Sequence, residues 1–166
     1  SPGNGATFDV YLPVTRQDPA PAAVDGRGTR HHARVSARGH ERIMVVDDEE
    51  SILESTRELL LDYGYLVNTF ADGQTAMDAF MADPHRFDLI ITDMTMPKMT
   101  GEDLARSILN IRPDLPVILC TGYNERMSEA SALKMGISRF VQKPLIHQPL
   151  PDIIREVLDH TGPARR

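Results

Sequence analysis

Three carboxylates, a hydroxyl and an ammonium recur along this chain at the ends of apolar runs. Ile43–Val46 leads into Asp47 and Asp48, and Phe87–Thr92 into Asp93. Pro116–Cys120 leads into Thr121, and Arg139–Gln142 into Lys143, which precedes Pro144. Brought together, these groups suit a divalent cation and a phosphoryl group. Carboxylate oxygens are hard donors for such a cation, and a lysine ammonium supplies a point charge to phosphoryl oxygens.

The elements that must bring them together are legible in the pattern. Short apolar runs separated by helical stripes read as buried parallel strands. Ile52, Leu53, Leu59, Leu60 and Tyr63 share one helical face, and Gly64 ends it. Tyr65–Phe70 reads as the second strand. Ala76, Met77, Phe80 and Met81 form the next stripe, closed before Pro84. Leu104, Ala105, Ile108 and Leu109 follow, then a helix at about 125–135 ending at Gly136. The last stripe holds Leu150, Ile153, Ile154, Val157 and Leu158. Five strands alternating with five helices specify a doubly wound parallel α/β sheet. Ligands bind beyond the carboxyl ends of the strands in such a sheet, which is where the polar set falls.

Bulk properties narrow the function. The 166 residues suffice for one domain and additional material. The net charge of −6 is unevenly placed: residues 16–42 carry six Arg against Asp18, Asp25 and Glu41, while residues 43–166 carry −8. A domain this acidic is poorly suited to nonspecific nucleic-acid binding. The single Cys120 lies inside a strand, offers no disulfide and fits a reducing, cytoplasmic setting. No apolar run approaches the ~20 residues of a membrane span. Residues 16–41, rich in Pro, Gly, Ala and Arg, read as a flexible linker. His31, His32 and His40 within it lack partners at metal-ligand spacing and read as solvated.

Residues 42–160 resemble a response-regulator receiver domain of two-component signalling. The likeness rests on the acidic pair in VVDDEES, on DMTMPKMTG with Asp93, Pro97 and Gly101, on the Thr of LCTG and on the Lys-Pro of FVQKP. It implies the flavodoxin-like strand order 2-1-3-4-5 with the site at the topological switch point. It implies that Asp93 is the nucleophile, accepting a phosphoryl group from a partner's phosphohistidine. It further implies Mg²⁺ held by Asp48, Asp93 and the backbone carbonyl of Thr95, with Asp47 acting partly through water. Thr121 and Lys143 would take phosphoryl oxygens, Lys143-Pro144 would be a cis peptide, and Phe140 would hold the position of the switch aromatic. Implied partners are a histidine kinase's phosphohistidine domain or a histidine phosphotransfer protein.

Residues 1–15 resemble the end of a histidine-kinase ATP-binding domain, where a Gly-rich turn enters a final strand; Phe8, Val10 and Leu12 alternate accordingly. Kinase remnant (1–15), linker (16–41), receiver (42–160) and a short tail (161–166) is the order expected of a hybrid sensor histidine kinase. The kinase's Asn, Gly and phosphoaccepting His motifs are absent, so this chain is expected to be a phosphoacceptor and not an enzyme acting on ATP. One alternative is a stand-alone regulator acting through protein contacts. Another is a haloacid-dehalogenase-like phosphatase, but that resemblance calls for a carboxylate two residues after the nucleophile, where this chain has Thr95.

Overall fold

A computed structural model of the chain describes residues 39–122 and 136–161. The strands are β1 (Arg42–Val46), β2 (Leu66–Phe70), β3 (Leu89–Asp93), β4 (Val117–Thr121) and β5 (Arg139–Gln142). Between and after them run α1 (Glu50–Asp62), α2 (Gly73–Ala82), α3 (Gly101–Ile111), a single 3-10 turn (Leu145–His147) and α4 (Leu150–Thr161). All pairings are parallel, in the order β2-β1-β3-β4-β5. The sheet is the doubly wound one expected. The helix expected at about 125–135, the kinase-like segment, most of the linker and residues 162–166 of the tail lie outside the described residues.

The strands read as unbroken apolar runs because both faces of the sheet are covered. Met44, Val46, Ile90, Val117 and Leu119 pack under α2 and α3 against Ala76, Phe80, Leu104, Ala105 and Ile108. Ile43, Val45, Leu89, Ile91 and Ile118 face the other way, onto Leu53 and Leu60 of α1 and Leu150, Ile154 and Val157 of α4. Each fully buried aliphatic or aromatic side chain contributes roughly 1.5–3 kcal/mol, so these two layers hold the strand ends in register.

Helix starts are set locally. Asp72 caps α2 by accepting from Thr75 N, and Thr100 caps α3 by accepting from Asp103 N. Gly64 closes α1 with φ 91°, a conformation that carries little cost only without a Cβ.

Three boundaries or faces differ from the sequence expectation. Met81 is 55% exposed, because it lies one position past Phe80 and so about 100° around the helix from the buried stripe. β2 starts at Leu66 rather than Tyr65, although the Tyr65 side chain is buried. The bonded network of the domain also includes residues before Arg42. Gly39 N donates to Tyr63 O at 3.2 Å, Leu66 N donates to Glu41 O at 2.9 Å, and the Glu41 carboxylate meets the Arg155 guanidinium of α4 at 2.8 Å. Gly39 and Glu41, both assigned to the linker, are therefore bonded to the domain. Low local hydrophobicity hid this, because the attachment is polar.

Candidate functional site

Strand register brings the polar set to one level. Val46 pairs with Thr92 across β1 and β3, so Asp47 stands beside Asp93 one step on. Asp93 pairs with Cys120 and Thr121 with Gln142, which sets Thr121 and then Lys143 along the same rim. One carboxylate oxygen from each of Asp47, Asp48 and Asp93 lies within 4.8 Å of the others. Asp47 and Asp93 are buried, while Asp48 is exposed.

Lys143 Nζ bridges the two buried carboxylates, 2.8 Å from Asp47 Oδ2 and 2.7 Å from Asp93 Oδ1. The remaining oxygens face backbone donors: Glu49 N donates to Asp47 Oδ1 at 2.9 Å and Thr95 N to Asp93 Oδ2 at 3.2 Å. Asp48 has no hydrogen bond or ion pair among the described residues. It does not cap α1, whose N-cap position is Glu49 without a side-chain cap bond. Among the described residues, a single ammonium thus stands against the three carboxylates and touches two of them. Burial pushes the Asp93 carboxyl above its ordinary range; Lys143 opposes that rise and the Asp47 charge adds to it. Burial disfavours the Lys143 charge, but the bonds from Asp47 and Asp93 outweigh it and hold the ammonium above its usual value. The donor set fits a hard divalent cation: oxygen-only, compact and under-neutralised, with Asp48 turned to solvent.

Around this centre, the Lys143-Pro144 peptide is cis. Lys143 N donates to Thr121 O at 2.8 Å, tying the two strand ends together. Thr121 is half-buried, and Phe140 is half-buried against the α2–α3 layer. The Cys120 thiol is buried in β4, and burial pushes it up to about 12, so it stays protonated.

Two groups below Asp93 were not singled out by role in the sequence. Gly101 opens α3 so close to Asp93 that a Cβ there would stand 1.8 Å from the Asp93 carbonyl oxygen. The Thr92 hydroxyl, wholly buried, donates to that same oxygen at 3.1 Å. The one signal in the sequence was a hydroxyl inside an otherwise apolar strand. An open groove of about 560 Å³ adjoins the rim, lined by Asp48, Glu50, Leu53, Glu54, Arg57, Thr69 and Ala71.

The sequence profile of the response regulator receiver domain matches residues 43–155. The chain belongs to that family. The receiver is 31% identical over 122 residues to the response regulator MprA of Mycolicibacterium vanbaalenii, covering 74% of this chain and 52% of MprA. It is 27% identical over 161 residues to the sensor kinase CckA of Brucella abortus, covering 95% of this chain and 17% of CckA. The chain thus spans about half the length of MprA and about a sixth of CckA. Among solved structures, the response regulator TrrA of Thermotoga maritima in complex with Mg²⁺-BeF aligns with a TM-score of 0.63 and 31% identity. That alignment covers 70% of this chain and 98% of TrrA. Receiver domains of this family serve two-component signalling and bind Mg²⁺ at an acidic pocket such as that of Asp47, Asp48 and Asp93.

Proposed function

We propose that this receiver accepts a phosphoryl group on Asp93 from a partner's phosphohistidine. The observation that carries the reading is the rim itself: three carboxylates within 4.8 Å of one another and an ammonium touching two of them. In the transfer, an Asp93 carboxylate oxygen attacks phosphorus, a P–O bond forms, and the P–N bond to the imidazole breaks. The imidazole nitrogen leaves with the electron pair. Lys143 is already within 2.7 Å of the nucleophile and takes charge from the arriving phosphoryl oxygens. Thr121 supplies a hydroxyl to another of them. Asp47, Asp48, Asp93 and the carbonyl of Thr95 would hold Mg²⁺, which when bound relieves carboxylate repulsion and neutralises phosphoryl charge.

Thr121 moving toward the phosphoryl group would free space for Phe140 to change rotamer, shifting the population of a partner-binding form. Donors and acceptors of the phosphoryl group would be a histidine kinase or a histidine phosphotransfer protein, in the cytoplasm, without nucleic acid or membrane contact by this domain. The groove beside Asp48 offers a partner's side chains a surface next to the rim. A hybrid-kinase origin is favoured by the extent of the CckA likeness, which at 161 residues reaches well upstream of the receiver.

The test is phosphotransfer from a radiolabelled phosphohistidine donor, the parent kinase's catalytic core or a phosphotransfer protein. Transfer of label to wild type and none to Asp93→Asn is expected; equal label on both proteins would refute the assignment.

A further inference from the structure

We propose that Thr92 is a positioning residue for the phosphoacceptor, acting through the backbone carbonyl of Asp93; this rests on the phosphoacceptor reading of Asp93. Successive side chains on a strand point to opposite faces. Thr92 therefore shares the face of Ile90, toward α2 and α3, and cannot reach the rim itself. It stands between Val46 and Leu119, its register partners, both wholly buried and apolar. An unpaired hydroxyl there would be costly. Among the described residues its one hydrogen bond is the 3.1 Å contact to Asp93 O.

That carbonyl is held from a second side. Gly101 approaches so closely that no Cβ could be present, and a Cβ there would also stand 3.0 Å from Thr92 Oγ1. Gly101 N in turn donates to Met94 O at 3.0 Å, and Met94 N to Cys120 O at 2.9 Å. Thr92 and the start of α3 thus form a floor that fixes the Asp93 peptide. The Asp93 side chain hangs from that peptide, so the floor decides that Oδ1 meets Lys143 and Oδ2 meets Thr95 N. Alignment of the nucleophile is most of what the protein can supply to phosphoryl transfer.

Two substitutions separate positioning from packing. Thr92→Val keeps the volume and removes the hydroxyl, whereas Thr92→Ser keeps the hydroxyl and removes a buried methyl. A packing role makes Ser the more damaging change, since it opens a small void. A positioning role makes Val the more damaging one for chemistry. The expected result with acetyl phosphate and Mg²⁺ is a rate of Asp93 modification lowered roughly five- to tenfold in Thr92→Val, and near wild type in Thr92→Ser, although Ser melts lower. In the metal-free protein, the Asp93 carbonyl ¹³C resonance should move in Val and stay in Ser. Rates that follow melting temperature, or an unmoved Asp93 carbonyl in Val, would overturn the role of Thr92. Wild type is the internal control: if Asp93 is not modified there, the phosphoacceptor reading falls and this role with it.

Discussion

Two charged clusters sit at opposite ends of the sheet, and they are built differently. At the amino end, Glu41 meets Arg155 at 2.8 Å, and Arg155 also reaches Asp159 at 3.3 Å. The Glu41 and Arg155 side chains are largely covered and meet one to one, while the exposed Asp159 reaches the same guanidinium from outside. At the carboxyl end, Asp47, Asp48 and Asp93 lie together, and among the described residues Lys143 is the one cation bonded there, to Asp47 and Asp93. The covered charges of the first cluster are closed on each other, one carboxylate to one guanidinium. The second is left under-neutralised, with Asp48 facing solvent. The excess negative charge left there is what a bound divalent cation can neutralise, and that cation can in turn offset the charge of an arriving phosphoryl group. The balance of covered charge thus separates a structural ion pair from a binding site.

The contrast can be broken at several points. Lys143→Ala has the largest expected effect, because it removes the cation that bridges Asp47 and Asp93. Phosphorylation by acetyl phosphate should slow by more than about tenfold, and beryllofluoride with Mg²⁺ should no longer shift the resonances around Phe140. A full wild-type shift pattern at Phe140 would disconnect Lys143 from that response. Asp48→Ala comes next. Mg²⁺ affinity measured by titration should fall more than about tenfold while the fold persists, since an exposed carboxylate without a bonded partner packs little.

Glu41→Gln probes the closed cluster and should cost about 1–2 kcal/mol in denaturant unfolding, leaving Mg²⁺ binding unchanged. Its pH dependence has a defined sign. Burial raises the Glu41 carboxyl, but Arg155 and the backbone N–H groups of Glu41 and His40 hold it below its ordinary value of 4.5. A depressed folded value stabilises the fold above the unfolded one and is lost as pH falls through the folded value. The gap between wild type and Glu41→Gln should therefore be full at neutral pH and close on acidification below about 4.5. A gap independent of pH would mean that Glu41 acts by packing alone. The smallest effect concerns Cys120: alkylation of the native protein should be negligible at pH 8 and become fast only on unfolding, because the buried thiol titrates near 12. Rapid native alkylation would show that β4 opens.

The rim was readable in the sequence because each of its side chains ends an apolar run, and parallel strands bring run ends to one level. The α3 stripe was readable for a similar reason: Leu104, Ala105, Ile108 and Leu109 repeat with the helical period and all are buried. Met81 misled because an apolar side chain next to a buried stripe looks like part of it. Glu41 was missed because its partner Arg155 lies on the last helix, a pairing that no local pattern encodes. Thr92 and Gly101 act through the backbone of Asp93, and contacts to a carbonyl oxygen leave no signature in side-chain spacing. The fold and the acidic set were thus written in periodicity, while the supports beneath Asp93 depend on three-dimensional approach.

The most direct test of the under-neutralised rim is site-resolved mass spectrometry of the protein treated with acetyl phosphate across a Mg²⁺ titration. A single phosphoryl adduct on Asp93 that rises with Mg²⁺, and is absent in Asp93→Asn, is the predicted result. Modification independent of Mg²⁺, or equal modification of Asp93→Asn, would contradict it.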